Sequence, residues 1–140
     1  MNKQETCTEQ IEARWESCRE DLELFVKAGF TDWEDLDEDD QTEALSNVGN
    51  FWDYGLCFDW VEPDNANHDG PSAGYYSWLI MTGGPHSEIR FYGNGSIVFV
   101  FKDWFDGAER DCSESIEART VAQYFSECGI MPNFEGVVSW

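Results

Sequence analysis

The chain has 140 residues, and its 29 Asp and Glu against 8 Lys and Arg give a formal net charge of -21. This balance excludes direct binding of nucleic acid, because affinity for phosphate comes from Lys and Arg. The 7 Trp, 5 Tyr and 10 Phe residues exclude a disordered chain, since each can bury a large apolar area. We therefore expect residues 1–140 to form one folded domain.

The first predicted element is an amphipathic helix. Thr6 and Glu9 have the spacing of a capping box, and apolar residues then recur at intervals of three and four until Gly29, which can end the helix. The outer face carries four glutamates whose spacing places their carboxylates in one row along the helix. These candidate partner contacts are Glu12, Glu16, Glu20 and Glu23.

An acidic segment, defined as residues 32–43, follows this helix. Eight of its twelve residues are acidic, and none is Lys or Arg. Thr31 and Glu34 have the spacing of a second capping box, which predicts a short helical turn over residues 32–36. Seven acidic residues of the segment are further candidate contacts: Asp32, Glu34, Asp35, Asp37, Glu38, Asp39 and Asp40.

Two more helices and a loop are predicted from periodicity. Apolar residues at helical spacing predict one buried helix over residues 44–56, despite Gly49 and Gly55. Residues 64–74 are polar and follow a proline, which predicts a loop. A last helix is predicted just before Gly129, where apolar residues again recur at intervals of three and four.

Three segments rich in aromatic and β-branched residues predict strands over residues 75–81, 88–92 and 96–104. A Gly-Asn-Gly turn at 93–95 joins the last two as a hairpin, and Thr-Gly-Gly-Pro at 82–85 reverses the chain between the first two. The predicted order is α-α-β-β-β-α. This order predicts an α+β fold with a three-stranded antiparallel β-meander, covered by N-terminal helices and a C-terminal helix.

The sequence favours a soluble cytoplasmic protein without a cofactor. Its five cysteines include no C-x-x-C pair, which argues against a zinc or disulfide framework, and no segment has the length of a membrane span or the apolar region of a signal peptide. Asp35, Asp37 and Asp39 have the opening spacing of an EF-hand loop. However, Asp40 and Ser46 stand where that loop requires Gly and Glu, so we expect no dedicated metal site.

Residues suited to catalysis are few. His68 and His86 lie in predicted loops outside any recognisable catalytic signature, and a pairing of His86 with Cys57 has no sequence support beyond residue type. Asp103 and Asp106 lie at a predicted turn over residues 103–108, where Asp-Gly is typical turn chemistry. We predict that the chain is not an enzyme, with a small hydrolase using His86 or this Asp pair as an alternative.

The negative charge is concentrated in the first part of the chain. Residues 1–60 have a net charge of -13, against -8 for residues 61–140. Helical carboxylates three or four residues apart recur at about 5 to 6 Å, and together with the acidic segment they could approach the charge spacing of a nucleic-acid backbone. Such a surface suits a basic groove. A second, smaller patch is predicted at Asp103, Asp106, Glu109 and Asp111.

Three motifs resemble those of small acidic accessory proteins carried by phages and plasmids. They are Tyr-Tyr-Ser-Trp-Leu-Ile-Met-Thr-Gly-Gly-Pro at 75–85, Glu-Ile-Arg-Phe-Tyr at 88–92 and Asp-Trp-Phe-Asp-Gly-Ala at 103–108. The resemblance covers about a quarter of the chain. It implies an origin in a mobile element, where anti-CRISPR and anti-restriction proteins are common and several act as DNA mimics.

Charge and resemblance together predict a non-enzymatic inhibitor of a host defence complex that targets nucleic acid. Its expected partner is a basic nucleic-acid-binding protein or complex in the host cytoplasm, contacted by the acidic residues named above. The alternative is a regulatory binding module of the mobile element, which would recognise a protein partner through an aromatic surface of the sheet over residues 83–92, with charge serving solubility.

Overall fold

Five antiparallel strands form one sheet, in which each strand pairs with the next one along the chain. The computed structural model describes residues 6–61, 74–82, 85–103 and 106–131. The strands, in sheet order, are β1 (Cys57–Val61), β2 (Tyr75–Met81), β3 (His86–Tyr92), β4 (Ile97–Asp103) and β5 (Asp106–Asp111).

Within the described ranges, four α-helices and two short 3-10 turns accompany the sheet. They are α1 (Cys7–Lys27), the 3-10 turns Trp33–Asp35 and Glu38–Asp40, α2 (Glu43–Val48), α3 (Phe51–Tyr54) and α4 (Ile116–Glu127). Helices α1 and α4 pack against each other, and α1 also packs against β4 and β5. None of the helices in the described part of the chain is both long and apolar enough to cross a membrane.

The two long helices begin and end as their sequences predict. Thr6 Oγ1 accepts a hydrogen bond from the N–H of Glu9 at 3.2 Å, and Ser115 Oγ accepts one from the N–H of Ala118 at 3.2 Å. These contacts satisfy backbone donors that a helix N-terminus leaves without partners. At the other ends, Gly29 and Gly129 adopt φ values of +62° and +79°, which favour glycine.

One face of the sheet and the helices enclose an aromatic core. Phe91 of β3 and Phe99 of β4 are buried, and the ring of Phe99 lies 5.6 Å from that of Trp15 on α1. Phe51 of α3 is also buried, with its ring 5.4 Å from that of Phe125 on α4. Large aromatic side chains supply the apolar area that stabilises a chain of such high net charge.

The α+β class predicted from the sequence is confirmed, but the predicted number of three strands is wrong. Strand β1 follows directly on the segment that was assigned to a helix over residues 44–56. Strand β5 includes residues assigned to the turn over 103–108. Its sequence, Asp-Gly-Ala-Glu-Arg-Asp, contains no β-branched or aromatic residue, so its strand conformation comes from pairing with β4 rather than from propensity.

The predicted helix over residues 44–56 is two short helices. Gly49 has a φ of +82°, which ends α2, and Asn50 precedes the separate helix α3. Gly55 then permits a close approach, because a Cβ at this position would come within 2.0 Å of Trp78 Nε1. Glycine is therefore required here for the indole to pack against the backbone.

The predicted turns have three different outcomes. Gly95 has a φ of +97°, which confirms the turn between β3 and β4. The turn predicted over residues 32–36 is a 3-10 turn, Trp33–Asp35, whose preceding residue makes no side-chain capping bond. The predicted loop over residues 64–74 and the glycines of the turn over 82–85 lie outside the described residues, apart from Gly74.

Candidate partner-binding surface

Hydrogen bonds to flanking residues hold the acidic segment, residues 32–43, in its two 3-10 turns. The backbone N–H of Trp33 donates to Asn50 Oδ1 at 2.8 Å, which ties the first turn to the start of α3. The side chain of Gln41 returns to the same place, because its Nε2 donates to the carbonyl of Trp33 at 2.9 Å. Leu36, between the two turns, is half-buried beside Leu45 and the end of α1. The segment is thus anchored at both ends.

The carboxylates of this segment point to solvent without cationic partners. All seven candidate residues are exposed, and none forms an ion pair with any residue in the described part of the chain. The sequence also has no Lys or Arg from residue 28 to residue 89, a stretch that holds 14 acidic residues. Lys27 lines the same cavity as Asp39 and Asp40 but pairs with Glu23, so no ion pair among the described residues neutralises the segment. The residues concerned are Asp32, Glu34, Asp35, Asp37, Glu38, Asp39 and Asp40.

The row of glutamates on α1 is different, because cations interleave with it. Arg19 contacts Glu16 on one side, and its Nη1 lies 3.2 Å from Glu23 Oε2 on the other. The same Nη1 also lies 2.6 Å from Glu117 Oε1 on α4. The hydrogen bond from Arg19 lowers the pKa of Glu16, and that from Lys27 lowers the pKa of Glu23. Glu16 and Glu23 in this part of the row therefore each have a cationic partner.

The two ends of the row differ as well. Arg110 on β5 donates from Nε to Glu12 Oε1 and Oε2, each at 2.9 Å, and thereby joins α1 to the sheet edge. Lys27 Nζ lies 2.9 Å from Glu23 Oε1. Glu20 is exposed and has no ion pair among the described residues. Among the described residues, Glu20 is therefore unpaired like the carboxylates of the acidic segment, whereas Glu12 and Glu23 form internal ion pairs.

The smaller patch predicted over residues 103–111 is not one surface. Asp106 Oδ2 accepts a hydrogen bond from the N–H of Cys7 at 2.6 Å, so this carboxylate faces α1. Glu109, three residues later on β5, points to the other face of the sheet, where its Oε1 lies 3.6 Å from Arg90 Nη1. Asp111 accepts from the N–H of Ser113 at 2.9 Å and stabilises the turn before α4. Asp103 is half-buried and lies opposite Asp106 in the strand register.

Replacing Asp106 with Ala is expected to lower the melting temperature by a few degrees without changing binding to a partner. The carboxylate caps the N-terminus of α1, and hydrogen bonds from Cys7 and Gly107 keep its pKa low. Thermal unfolding followed by circular dichroism measures the effect. Glu109→Ala removes the same charge from the same strand and serves as the control. An equal melting temperature for wild type and Asp106→Ala would contradict a capping role.

The melting temperature of the wild-type protein is expected to rise as salt is added from very low ionic strength. Carboxylates clustered in the acidic segment repel one another, and salt screens this repulsion within roughly 8 to 10 Å at physiological concentration. Calorimetry from about 5 mM to 200 mM NaCl tests this. A response as flat as that of a protein with balanced charge would mean that the carboxylates are already neutralised.

A buried polar cluster on β2 and β3 was not predicted from the sequence. Glu88 is only 5% exposed, yet it is a carboxylate. Arg90 donates to Glu88 Oε1 from Nε at 3.0 Å and from Nη2 at 2.9 Å, and Ser77 Oγ donates to Glu88 Oε2. Arg90 also lies 4.7 Å from the ring centre of Tyr75. The sequence signal for this cluster is the spacing of Glu88 and Arg90, which puts both on one face of β3.

The geometry of this cluster does not match nucleophilic catalysis. His86 Nε2 lies 3.5 Å from Glu88 Oε1, while Ser77 binds the other oxygen of the same carboxylate. The carboxylate thus stands between serine and histidine, whereas a nucleophile needs the imidazole next to it. Cys57 on β1 is separated from β3 by β2, and partial desolvation together with the nearby Asp59 carboxylate raises the pKa of this exposed thiol. His68 lies outside the described residues.

The contribution of Glu88 to stability is expected to disappear at acidic pH. Burial alone would raise its pKa, but hydrogen bonds from Ser77 and Arg90 outweigh burial and leave the pKa below the usual carboxyl range. A lowered pKa in the folded state stabilises the fold above the unfolded value of about 4.3, and this contribution is lost as the pH falls through the folded pKa. Urea unfolding at pH 7 and pH 3 should show a smaller difference between wild type and Glu88→Gln at pH 3. A constant difference would contradict this reading.

The aromatic surface considered for residues 83–92 is not displayed by the residues described there. Ile89 and Phe91 are buried in the core, and Tyr92 is 8% exposed. Large exposed apolar side chains occur instead around α3, where Trp52 is 48% exposed and Leu56 is 58% exposed.

No three His, Cys, Asp or Glu side chains in the described ranges are placed to share a metal ion. The five cysteines are all free, with Cys57 and Cys128 exposed. Comparison with protein-family models, with curated proteins and with solved structures gave no match.

Proposed function

We propose that this chain is a non-enzymatic inhibitor of a host defence complex that targets nucleic acid, of the anti-CRISPR or anti-restriction kind. It acts by presenting the acidic segment to a basic groove that otherwise holds DNA or RNA. The supporting observation is that seven exposed carboxylates lie on or directly before two anchored 3-10 turns and form no ion pair with any described residue.

The density of these charges supports mimicry of a nucleic-acid backbone. Eight of the twelve residues of the segment are acidic, and the hydrogen bond from Gln41 to the Trp33 carbonyl keeps them in a short, folded stretch of chain. A DNA duplex is likewise a dense polyanion, with one charge every ~3.4 Å along each strand. Glu20 on α1 is a further exposed carboxylate without an ion pair among the described residues, whereas Glu12 and Glu16 are paired with arginines.

The expected mode of action is competition steered by charge. A basic groove raises the association rate of a polyanion at low salt, and the same field acts on an acidic protein. The host cytoplasm is then the compartment in which the two meet.

Phage plating tests the proposed function. The chain is expressed in a panel of bacterial strains, each carrying one CRISPR or restriction system, and the plating efficiency of a susceptible phage is measured. The segment variant carries Glu38→Lys, Asp39→Lys and Asp40→Lys. The control variant carries Glu9→Lys, Asp59→Lys and Glu114→Lys, which are at exposed positions and change the net charge by the same amount.

Wild type and the control variant are expected to restore plating under at least one system, and the segment variant is expected to lose this protection. Protection by the segment variant equal to that by wild type would contradict the proposed surface. Absence of protection under every system, with soluble protein present, would contradict the proposed function.

A further inference from the structure

An apolar groove opens beside the acidic segment. Its walls come from α3, from the first residues of β1 and from the end of α4, and it encloses a volume of about 200 Å³. A cavity of ~150 Å³ can hold a benzene ring, so this groove has room for one large apolar side chain. The side chains that line it include Trp52, Leu56, Phe58, Trp78, Phe125 and Ile130.

Two of the side chains that line the groove are exposed to solvent. Leu56 and Trp52 are both about half exposed or more, although each is a large apolar side chain. The Trp52 side chain packs against two other aromatic rings, because its ring centre lies 5.2 Å from that of Phe51 and 5.7 Å from that of Tyr124. An apolar side chain that is exposed yet rigidly packed is typical of a residue that anchors a partner.

The surroundings of the groove are acidic. Asp53 follows Trp52 on α3, and Glu127 lies on the last turn of α4; both are exposed. The sequence has no Lys or Arg in residues 51–61 or in residues 120–131, which supply most of the lining. A segment that enters the groove therefore meets negative rather than positive charge on the two helices beside it.

A hydrogen bond and ring contacts join the groove to the acidic segment. The hydrogen bond from the N–H of Trp33 to Asn50 Oδ1 joins the first 3-10 turn to the residue just before α3. Phe30, two residues before the segment, stacks on Tyr124 at 4.0 Å, and Tyr124 in turn contacts Trp52. A partner bound to the acidic segment would thus lie next to the groove.

We propose that the groove binds one large apolar side chain, of Leu, Met or Phe size, carried by a protein segment in which Lys or Arg residues flank that side chain. The identification of this segment as part of the inhibited complex rests on the proposed function, but the chemistry of recognition does not. A carboxylate surface alone would bind any basic groove, whereas one apolar anchor adds affinity that salt does not remove and so selects among basic partners.

Selection from a phage-displayed library of random 12-residue peptides tests this proposal. Wild-type protein is expected to enrich peptides with one large apolar residue between Lys or Arg residues. The groove variant is Leu56→Gln, and its matched control is Ile116→Gln, because Ile116 is a 75% exposed apolar residue outside the groove. Synthetic versions of the enriched peptides are then titrated against all three proteins by Trp fluorescence at 150 mM and 500 mM NaCl.

The enriched peptides are expected to bind Leu56→Gln at least tenfold more weakly than wild type at both salt concentrations and to bind Ile116→Gln unchanged. Enrichment of peptides that are basic but lack an apolar residue, or equal affinity for Leu56→Gln, would overturn the proposal. So would concentration-dependent dimerisation that Leu56→Gln abolishes, because a second copy of the chain would then be the occupant. Failure of phage protection with the expected peptide pattern would count against the proposed function alone.

Discussion

Reversing the charges of Glu38, Asp39 and Asp40 together is expected to weaken binding to the inhibited complex by more than about a hundredfold at low salt. Electrostatic steering can raise an association rate from ~10⁵–10⁶ to ~10⁸–10⁹ M⁻¹s⁻¹, and these three carboxylates form no ion pair with any described residue. The lysines would also repel the basic groove. Surface plasmon resonance across a salt series measures both the loss of affinity and the flatter salt dependence.

The folded state of this variant is expected to be at least as stable as that of wild type, because the substitution relieves repulsion within the acidic segment. A loss of binding therefore cannot be attributed to unfolding. The control variant at Glu9, Asp59 and Glu114 separates the position of the charges from their number. Equal weakening by both variants would mean that only the total charge matters and that residues 32–43 are not a docking surface.

Replacing Arg90 with Met is expected to destabilise the fold by about 3–5 kcal/mol. The guanidinium makes two hydrogen bonds to Glu88 Oε1, and both side chains are largely buried. Removing the cation leaves a buried carboxylate without its charged partner, which is the costly way to break such a pair. Urea unfolding of the single variant at pH 7 measures the free energy of unfolding.

The double variant Glu88→Gln with Arg90→Met is the control for this prediction. It removes both charges, so it is expected to recover much of the lost stability, since neutral side chains of similar size can replace a buried ion pair at little cost. If the double variant lost as much stability as the two single variants together, the two side chains would not interact. This result would contradict the cluster geometry.

The local elements of the fold could be predicted from the sequence where local signals agree. Helix α1 has a Thr6 cap, apolar residues at helical spacing and a terminal Gly29, and the structure has a helix between these points. Strands β2, β3 and β4 are rich in aromatic and β-branched residues and lie within one or two residues of their predicted bounds. In these elements propensity and tertiary packing favour the same conformation.

The elements that escaped prediction depend on distant pairing. Residues 44–56 carry apolar residues at helical spacing, yet Leu56 is exposed and the chain turns into β1. The strand conformation of Cys57–Val61 follows from antiparallel pairing with Tyr75–Met81 across the sheet. Strand β5 lacks strand-forming residues and pairs with β4. Pairing between strands can override the secondary-structure propensity of a segment, and the sequence of the segment alone does not predict such pairing.

In the candidate surface, too, some features could be predicted from local sequence and others depend on distant contacts. The exposure of the acidic segment could be predicted, because eight acidic residues in twelve cannot be buried. The pairing of Glu12 with Arg110, and of Arg19 with Glu117, joins residues about a hundred positions apart. The capping of Cys7 by Asp106 is equally distant. Only the folded structure distinguishes these internal carboxylates from those that remain free for a partner.

The most direct test of the central claim is whether the protein and double-stranded nucleic acid exclude each other on the purified defence complex that phage plating identifies. Labelled target DNA or RNA is titrated into the complex at increasing concentrations of the protein, and the species are separated by native electrophoresis. The account predicts strict competition, with the apparent dissociation constant of the nucleic acid rising in proportion to the protein concentration. A stable ternary species containing the complex, the nucleic acid and this protein would contradict it.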